Sequence, residues 1–420
     1  MSRTASGKIK WQDTAVPVLG NSKSHQLKLI TIEENPMTLP WLSEDDLFIK
    51  HTAERFAHDK LKEGYQARSL EHHIDRDLLQ QMGALGLIAP TFSEAYGGIG
   101  ASSLVSGVIC EAIAYADLGM SYMCMTTPLI GGVIEKHGNE EMRQEVLPRM
   151  AAGELLVQLG LTEPRGGSDA ANLIVKAQKK GDRYIISGEK ASISYGDQAE
   201  MMLLFARTDQ DAPGARGVSA FLAPLDLPGV TCTHYDDIGT RPVGRGSVFF
   251  DDVEIPETAL LGKEGEGFTK VMEGFDLSRI LIALQCCGTA QASVDETWEY
   301  IQGREAFGRP LAKFQGTTFP LAEHESMLAA VRALSHQTLM MRDKGIQHTS
   351  EAAMVKWMSP KWATDIIQNC LVLNGHYGYT TELPHQQRMM DVMGLQIGDG
   401  TAQIMKTIIT REKIGSIGVA

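Results

Sequence analysis

The chain is expected to fold as an α+β multidomain protein: a helical domain, then an antiparallel β-barrel or sandwich domain, then a four-helix bundle. Three observations carry this expectation. Apolar residues recur at helical spacing up to about residue 150, alternate between 155 and 256, and return to helical spacing after 267. No helical stretch interrupts the middle run, so its strands are expected to pair antiparallel rather than through βαβ crossovers. No GxGxxG occurs anywhere, which disfavours a dinucleotide-binding parallel sheet. The expected boundaries are residues 1–42 for an N-terminal arm, 43–154, 155–267 and 268–420.

Residues 1–36 are polar and aperiodic, and read as a flexible arm or as a stretch upstream of the true start. Ser43 reads as an N-cap, followed by the acidic first turn Glu44-Asp45-Asp46. Helices are expected over 74–87, 102–118, 120–137 and 140–151, with Gly138 as a C-cap signal. Strands are expected over 155–161, 173–177, 183–186, 201–207, 218–223, 230–234 and 247–253. The bundle helices are expected over 268–301, 317–344, 351–373 and 401–413. Met354, Met358, Trp362, Ile366 and Cys370 recur every fourth position and read as bundle core rather than as a cofactor box.

At 420 residues, 43% hydrophobic and 22% charged, the composition is that of an ordinary globular protein. A net charge of −13 argues against nucleic acid as the partner, because phosphate binding needs a basic surface. No apolar run is long enough to span a membrane. Six cysteines without CxxC or metal-like spacing read as reduced thiols of a cytoplasmic protein, with no metal expected.

Several motifs then fall in a fixed order. They are Leu85-Gly86-Leu87 with Tyr96-Gly97-Gly98, Leu161-Thr162-Glu163-Pro164-Arg165-Gly166-Gly167-Ser168-Asp169, Gly188-Glu189-Lys190, and Leu261-Gly262 with Gly265-Glu266-Gly267-Phe268. Arg304-Glu305-Ala306-Phe307-Gly308 and Gln396-Ile397-Gly398-Asp399-Gly400-Thr401-Ala402-Gln403 complete the series. Together with the helical–β–helical order, these motifs resemble the acyl-CoA dehydrogenase family.

The resemblance implies FAD, an acyl-CoA thioester substrate, a homotetramer and an electron-transfer flavoprotein as electron acceptor. It implies that Leu161, Thr162, Gly167 and Ser168 meet the flavin, Ser168 also the acyl-CoA. The bland alternative for the hydroxyls is turn stabilisation. Ser194 matches a residue that donates toward flavin N5, whereas Ser192 stands where relatives carry a tryptophan against the ring. Arg304, Phe307 and Gln315 match residues that reach the FAD of a neighbouring subunit, an arginine fork suiting a pyrophosphate. A solvated helix-end arginine is the alternative for Arg304. Thr401 and Gln403 match contacts to the FAD phosphates or adenosine. His376 replaces the second glycine of a family turn, and Val372 replaces a family glutamine. Arg279 matches a position near CoA, with an Asp276–Arg279 salt bridge as the equal alternative.

The octapeptide alone leaves Asp399 as either a proton acceptor or an N-cap. The resemblance implies that it is the base for the α-proton and that Gly400 lines the substrate. Most relatives have a glutamate there. Others place the base on the helix opening the C-terminal domain, where this chain has Ser278. The aspartate is one methylene shorter, which withdraws the carboxylate by roughly 1 Å. A ring bearing the thioester would bring its α carbon closer. The stretches 304–315, 375–376 and 395–406 look most like cyclohexanecarboxyl-CoA dehydrogenases of alicyclic-acid degradation, and this likeness implies cyclohexane-1-carboxyl-CoA, oxidised to the 1-ene, as the substrate, with a short or branched linear acyl-CoA as the plainer option. Rivals are a desulfinase or flavin monooxygenase of the same fold, and a non-catalytic acyl-CoA-binding or DNA-associated relative.

Overall fold

The computed structural model describes residues 41–415; the expected N-terminal arm lies almost wholly outside them. The helical part opens with α1 (Glu44–Phe56), whose acidic first turn follows directly on Ser43. A π-helical turn over Ala57–Leu61 leads to α2 (Tyr65–Arg68). There follow α3 (Arg76–Ala84), α4 (Ser103–Ala116), α5 (Leu118–His137) and α6 (Glu140–Ala151). Each of these last four starts on a side-chain cap: Asp75, Ser102, Asp117 and Asn139 accept hydrogen bonds from backbone N–H groups of the first turn. Gly138 does end α5, but with φ −67° rather than in the left-handed region expected of a glycine cap.

The middle part is a seven-stranded sheet. Its strands are β1 (Val157–Gly160), β2 (Lys176–Lys180), β3 (Arg183–Ser194), β4 (Met201–Arg207), β5 (Val218–Pro224), β6 (Val230–Cys232) and β7 (Arg245–Pro256). β2, β3, β7 and β6 pair antiparallel, as do β4 and β5. The expectation of a wholly antiparallel sheet is corrected: β1 runs parallel to β4, Val157 opposite Met201 through Gly160 opposite Leu204. The β2–β3 hairpin itself supplies the crossover between these two strands, so no helix is needed. Further along the same flank of β4, Lys176 of β2 pairs with Arg207. β1 and β2 therefore share one edge of β4, and the chain leaves the sheet in the gap between them. That excursion is the 161–175 segment. Beneath it Tyr184, Ile186, Leu204, Phe221 and Val248 form a dry core.

The last part is built on α7 (Gly267–Gly303), roughly 55 Å long at 1.5 Å per residue. After the short hairpin β8 (Glu305–Ala306) and β9 (Arg309–Pro310) come α8 (Gln315–Asp343), α9 (Thr349–Leu373), α10 (Gly375–Gly378), α11 (His385–Gly394) and α12 (Ala402–Ile414). α7 packs against α9 and α8 of the bundle and against α4 and α5 of the helical part. The apolar stripe of α9 is a partial correction. Ile366 and Cys370 are buried, but Met354, Met358 and Trp362 are only half-buried, and the core positions are Ala352, Val355, Ser359 and Ala363. α11 was not expected; Pro384 precedes it and Gln386-Gln387-Arg388 break its apolar pattern. Among the described residues no helix is long and apolar enough to cross a membrane.

Candidate active site

Asp399 stands on the loop between α11 and α12, and three side chains from two bundle helices converge on that loop. Lys356 of α9 is buried at 1% exposure and sends Nζ to Leu395 O at 2.8 Å and Gly400 O at 3.1 Å, gripping both ends. Burial pulls its pKa down to about 8, with the Asp399 carboxylate pulling the other way. Arg279 of α7 approaches Asp399 O at 3.4 Å through Nε, while Nη1 bonds Asp276 Oδ1 at 3.0 Å. Thr349 Oγ1 donates to the other Asp276 oxygen at 2.6 Å. The Asp276–Arg279 salt bridge, the equal alternative to a CoA contact, is thus present, and its arginine also braces the 395–400 loop.

Ser278, also on α7 and fully buried, places Oγ 2.5 Å from Asp399 Oδ2. Its alternative acceptor, Phe275 O, lies farther off at 3.1 Å. The hydroxyl has one proton, and the shorter, charged acceptor takes it. Asp399 Oδ1 has no hydrogen-bond donor among the described residues. The carboxylate is therefore held by one oxygen and open at the other, the arrangement a proton acceptor needs.

The cap reading of Asp399 is overturned. Thr401 is the N-cap of α12, its Oγ1 3.5 Å from Ile404 N. Asp399 instead has φ +55°, a left-handed conformation that aspartate tolerates better than most residues. Gly400 follows with φ +100°, a conformation that glycine adopts readily and residues with a Cβ only under strain. Gln403 is exposed in the first turn of α12.

The 161–175 segment is anchored by a second buried lysine. Lys190 of β3 donates to Leu161 O at 3.0 Å and to Glu163 Oε1 at 2.9 Å. Glu163 also accepts Val175 N at 2.9 Å and Ile174 N at 2.7 Å, closing the segment on itself. Arg207, at the end of β4, holds the returning limb by Leu173 O at 2.9 Å and Ala171 O at 3.0 Å. Above these anchors Leu161 is buried, Thr162 half-buried, and Gly167 and Ser168 exposed. Ala191 N donates to Thr162 O at 3.0 Å, bringing β3 alongside. The sheet edge thus unites Thr162 with Ser192 and Ser194. Ser192 is exposed, with φ +56°, where the β3–β7 register slips between Lys190 and Ile193.

The remaining candidates stand apart. Arg304 and Gln315 are exposed, and Phe307 is 95% exposed at the tip of the β8–β9 hairpin, with φ +51°. Arg309 covers the Phe314 ring at 4.1 Å and stiffens the hairpin base. No hydrogen bond joins this hairpin to the 161–168 loop among the described residues.

Sequence reasoning named Lys190 only within a motif and without a role, and missed Lys356, Arg207 and the network tying the 395–400 loop to the sheet. Arg245 of β7 donates to Tyr122 OH of α5 at 2.9 Å and to Asp237 at 2.9 Å. Asp391 of α11, just before the 395–400 loop, accepts from Tyr65 OH and Thr240 N, both at 2.6 Å. Burial raises its pKa to about 6. The one signal available beforehand was a charged residue within an otherwise apolar helix or strand pattern.

Comparison with known proteins sets this geometry in context. Residues 43–154, 158–253 and 265–414 match the models described as the N-terminal, middle and C-terminal domains of acyl-CoA dehydrogenase. The short-chain specific acyl-CoA dehydrogenase of Rattus norvegicus mitochondria is 33% identical over 88% of this chain and 90% of its own length. The short-chain specific acyl-CoA dehydrogenase of Clostridium acetobutylicum is 30% identical over 88% and 98%. The butyryl-CoA dehydrogenase structure from Megasphaera elsdenii superposes with TM-score 0.85 at 30% identity, covering 89% of this chain and 99% of that one.

Proposed function

The chain belongs to the acyl-CoA dehydrogenase family, and on that premise we propose that it desaturates a short acyl-CoA between Cα and Cβ with Asp399 as the base. The observation that carries this reading is the Asp399 carboxylate, tied through Oδ2 to Ser278 at 2.5 Å and open at Oδ1. Family members use FAD, and the residues present fit it. Leu161, Thr162, Gly167, Ser168, Ser192 and Ser194 offer hydroxyls and an exposed glycine backbone along one sheet edge for the ring. Thr401 and Gln403 stand at a helix N-terminus, where phosphates are favoured. Arg304, Phe307 and Gln315 would complete the site of a neighbouring chain in a homotetramer, which accounts for a phenylalanine 95% exposed on a stiffened hairpin. Bound FAD supplies the acceptor for the β-hydride, and an electron-transfer flavoprotein would take the electrons onward.

The chain's own work is acid–base and positioning. Asp399 takes the α-proton on Oδ1, and the Ser278 hydroxyl steadies the carboxylate while it is charged. Ser168, Arg279 and Gly400 are the residues proposed to receive the acyl-CoA, Arg279 through the loop it braces. The thioester oxygen needs hydrogen-bond donors as enolate charge develops, and water must be excluded for a carboxylate to be basic enough. The open oxygen at position 399 stands against a desulfinase or monooxygenase, which needs no such base. Buried free cysteines at 110, 124, 286, 287 and 370 accord with a reducing compartment such as the cytoplasm.

Short-chain relatives support a short linear acyl group. One observation favours a second reading, a ring-bearing substrate such as cyclohexane-1-carboxyl-CoA: the base is an aspartate, which must be met by an α carbon lying closer. Anaerobic titration of the purified flavoprotein separates the two. Bleaching of the flavin by butyryl-CoA supports the linear substrate, and preferential bleaching by cyclohexane-1-carboxyl-CoA the ring. No bleaching by any thioester would overturn the dehydrogenase reading. Asp399→Asn is expected to keep its flavin but to slow bleaching by about 10²–10⁴-fold; a parent-like rate would remove Asp399 as the base.

A further inference from the structure

A second cluster of chemistry-bearing side chains lies where the α2–α3 connection meets the chain leaving β6. His72 and His234 are 162 residues apart in sequence, yet His72 Nδ1 and His234 Nε2 share a hydrogen bond of 3.1 Å that an ion between them would replace. Asp236 brings a carboxylate oxygen to the same point, with all three ligand atoms within 4.8 Å of one another. We propose that His72, His234 and Asp236 bind a divalent transition-metal cation of the zinc class, clamping the α2–α3 connection to the sheet.

Geometry supports the site first. Two nitrogens each about 2.1 Å from one ion, at a tetrahedral or octahedral angle, are about 3.0–3.4 Å apart. The observed spacing falls inside that range. The surroundings support it second. His234 Nδ1 is buried without a hydrogen bond and faces Asp197 Oδ2 at 3.8 Å. The same carboxylate oxygen lies 3.4 Å from His73 Nε2. A carboxylate on the side of the outer ring nitrogen favours the tautomer protonated on Nδ1, which would turn the Nε2 lone pair toward the site, as in metal-bound histidines. Ligand chemistry then selects the ion. Two imidazoles and a carboxylate suit zinc, nickel or cobalt, whereas magnesium and calcium prefer all-oxygen sites. The ligands come from two distant segments and not from cysteines, so no local spacing in the sequence announced them.

The clamp has a defined target. Tyr235 N donates to Arg245 O at 2.7 Å, and Asp237 bonds the Arg245 guanidinium at 2.9 Å. The segment fixed by the ion is thus the one that holds Arg245 against Tyr122. The test uses the full-length flavoprotein, stripped with a chelator and titrated calorimetrically with zinc chloride, with magnesium chloride as the hard-ion control. The expected result is one zinc per chain, a raised melting temperature, and no response to magnesium. His72→Ala and His234→Ala, checked for folding by flavin content, should each abolish the zinc response. Asp197→Asn should weaken binding by roughly 10-fold or more. Absence of zinc binding in the parent, or binding unchanged in both histidine variants, would overturn the site.

Discussion

Lys190 and Lys356 are both buried, both lie beneath a loop of the proposed site, and both have pKa values drawn down to about 8 by burial. Their partners differ. Lys190 meets a buried carboxylate, Glu163, at 2.9 Å, and the two charges are settled within the 161–175 segment itself. Lys356 meets only carbonyl oxygens, those of Leu395 and Gly400, and the nearest balancing charge is the Asp399 carboxylate on the loop it grips. The first loop is a fixed platform whose electrostatics are closed. The second is a platform whose support feels the charge on the proposed base.

That contrast is broken most strongly at Lys190. Lys190→Met leaves Glu163 ionised and unpaired in the core, and should cost about 3–5 kcal/mol by denaturant unfolding. Lys356→Met strands two carbonyls but no carboxylate, and should cost less, about 1–3 kcal/mol. Its larger effect should appear in the anaerobic bleaching rate, since a base loop displaced by about 1 Å can lose about 100-fold. If Lys356→Met proved the more destabilising of the two, the distinction between a closed and an open platform would fail.

Ser278→Ala probes the base side alone. Removing the donor from Oδ2 takes away the hydrogen bond that orients the carboxylate, so the anaerobic bleaching rate should fall by roughly 10-fold. An unchanged rate would show that the hydroxyl bonds Phe275 O instead. The smallest expected effect is in stability against pH. Each lysine has an unfolded value near 10.5 and a folded value of about 8. Between those limits the unfolded chain binds more protons, so both lysines make stability rise with pH. Unfolding free energies from pH 8 to 10 should climb less steeply in either methionine variant than in the parent.

Most of the architecture was legible because periodicity reports burial on one face of an element. Met201–Arg207 was read to the residue, and α6 likewise, since both have clear turn or cap signals at their ends. The parallel β1–β4 pairing was not legible, because strand direction depends on which strands become neighbours and not on either strand's own pattern. α11 was missed since its buried residues include His385, Gln387, Arg388 and Asp391, polar side chains whose burial depends on distant partners. Within the site, Asp399 was readable from its glycine neighbours and the family resemblance. Ser278 was assigned no role, being judged only as a failed base. Its contact with the proposed base emerges only when α7 and the 395–400 loop come together, with Ser278 Oγ 2.5 Å from Asp399 Oδ2.

The capping of α12 by Thr401 separates two duties that the octapeptide seemed to combine. In the proposed reaction Asp399 gains and loses a proton at every turnover. Had it also capped the helix, each protonation would have weakened the first turn of α12. With the neutral Thr401 hydroxyl at that post, the helix terminus keeps the same hydrogen bond in both charge states. The proposed reaction can cycle without the cap of α12 registering each proton.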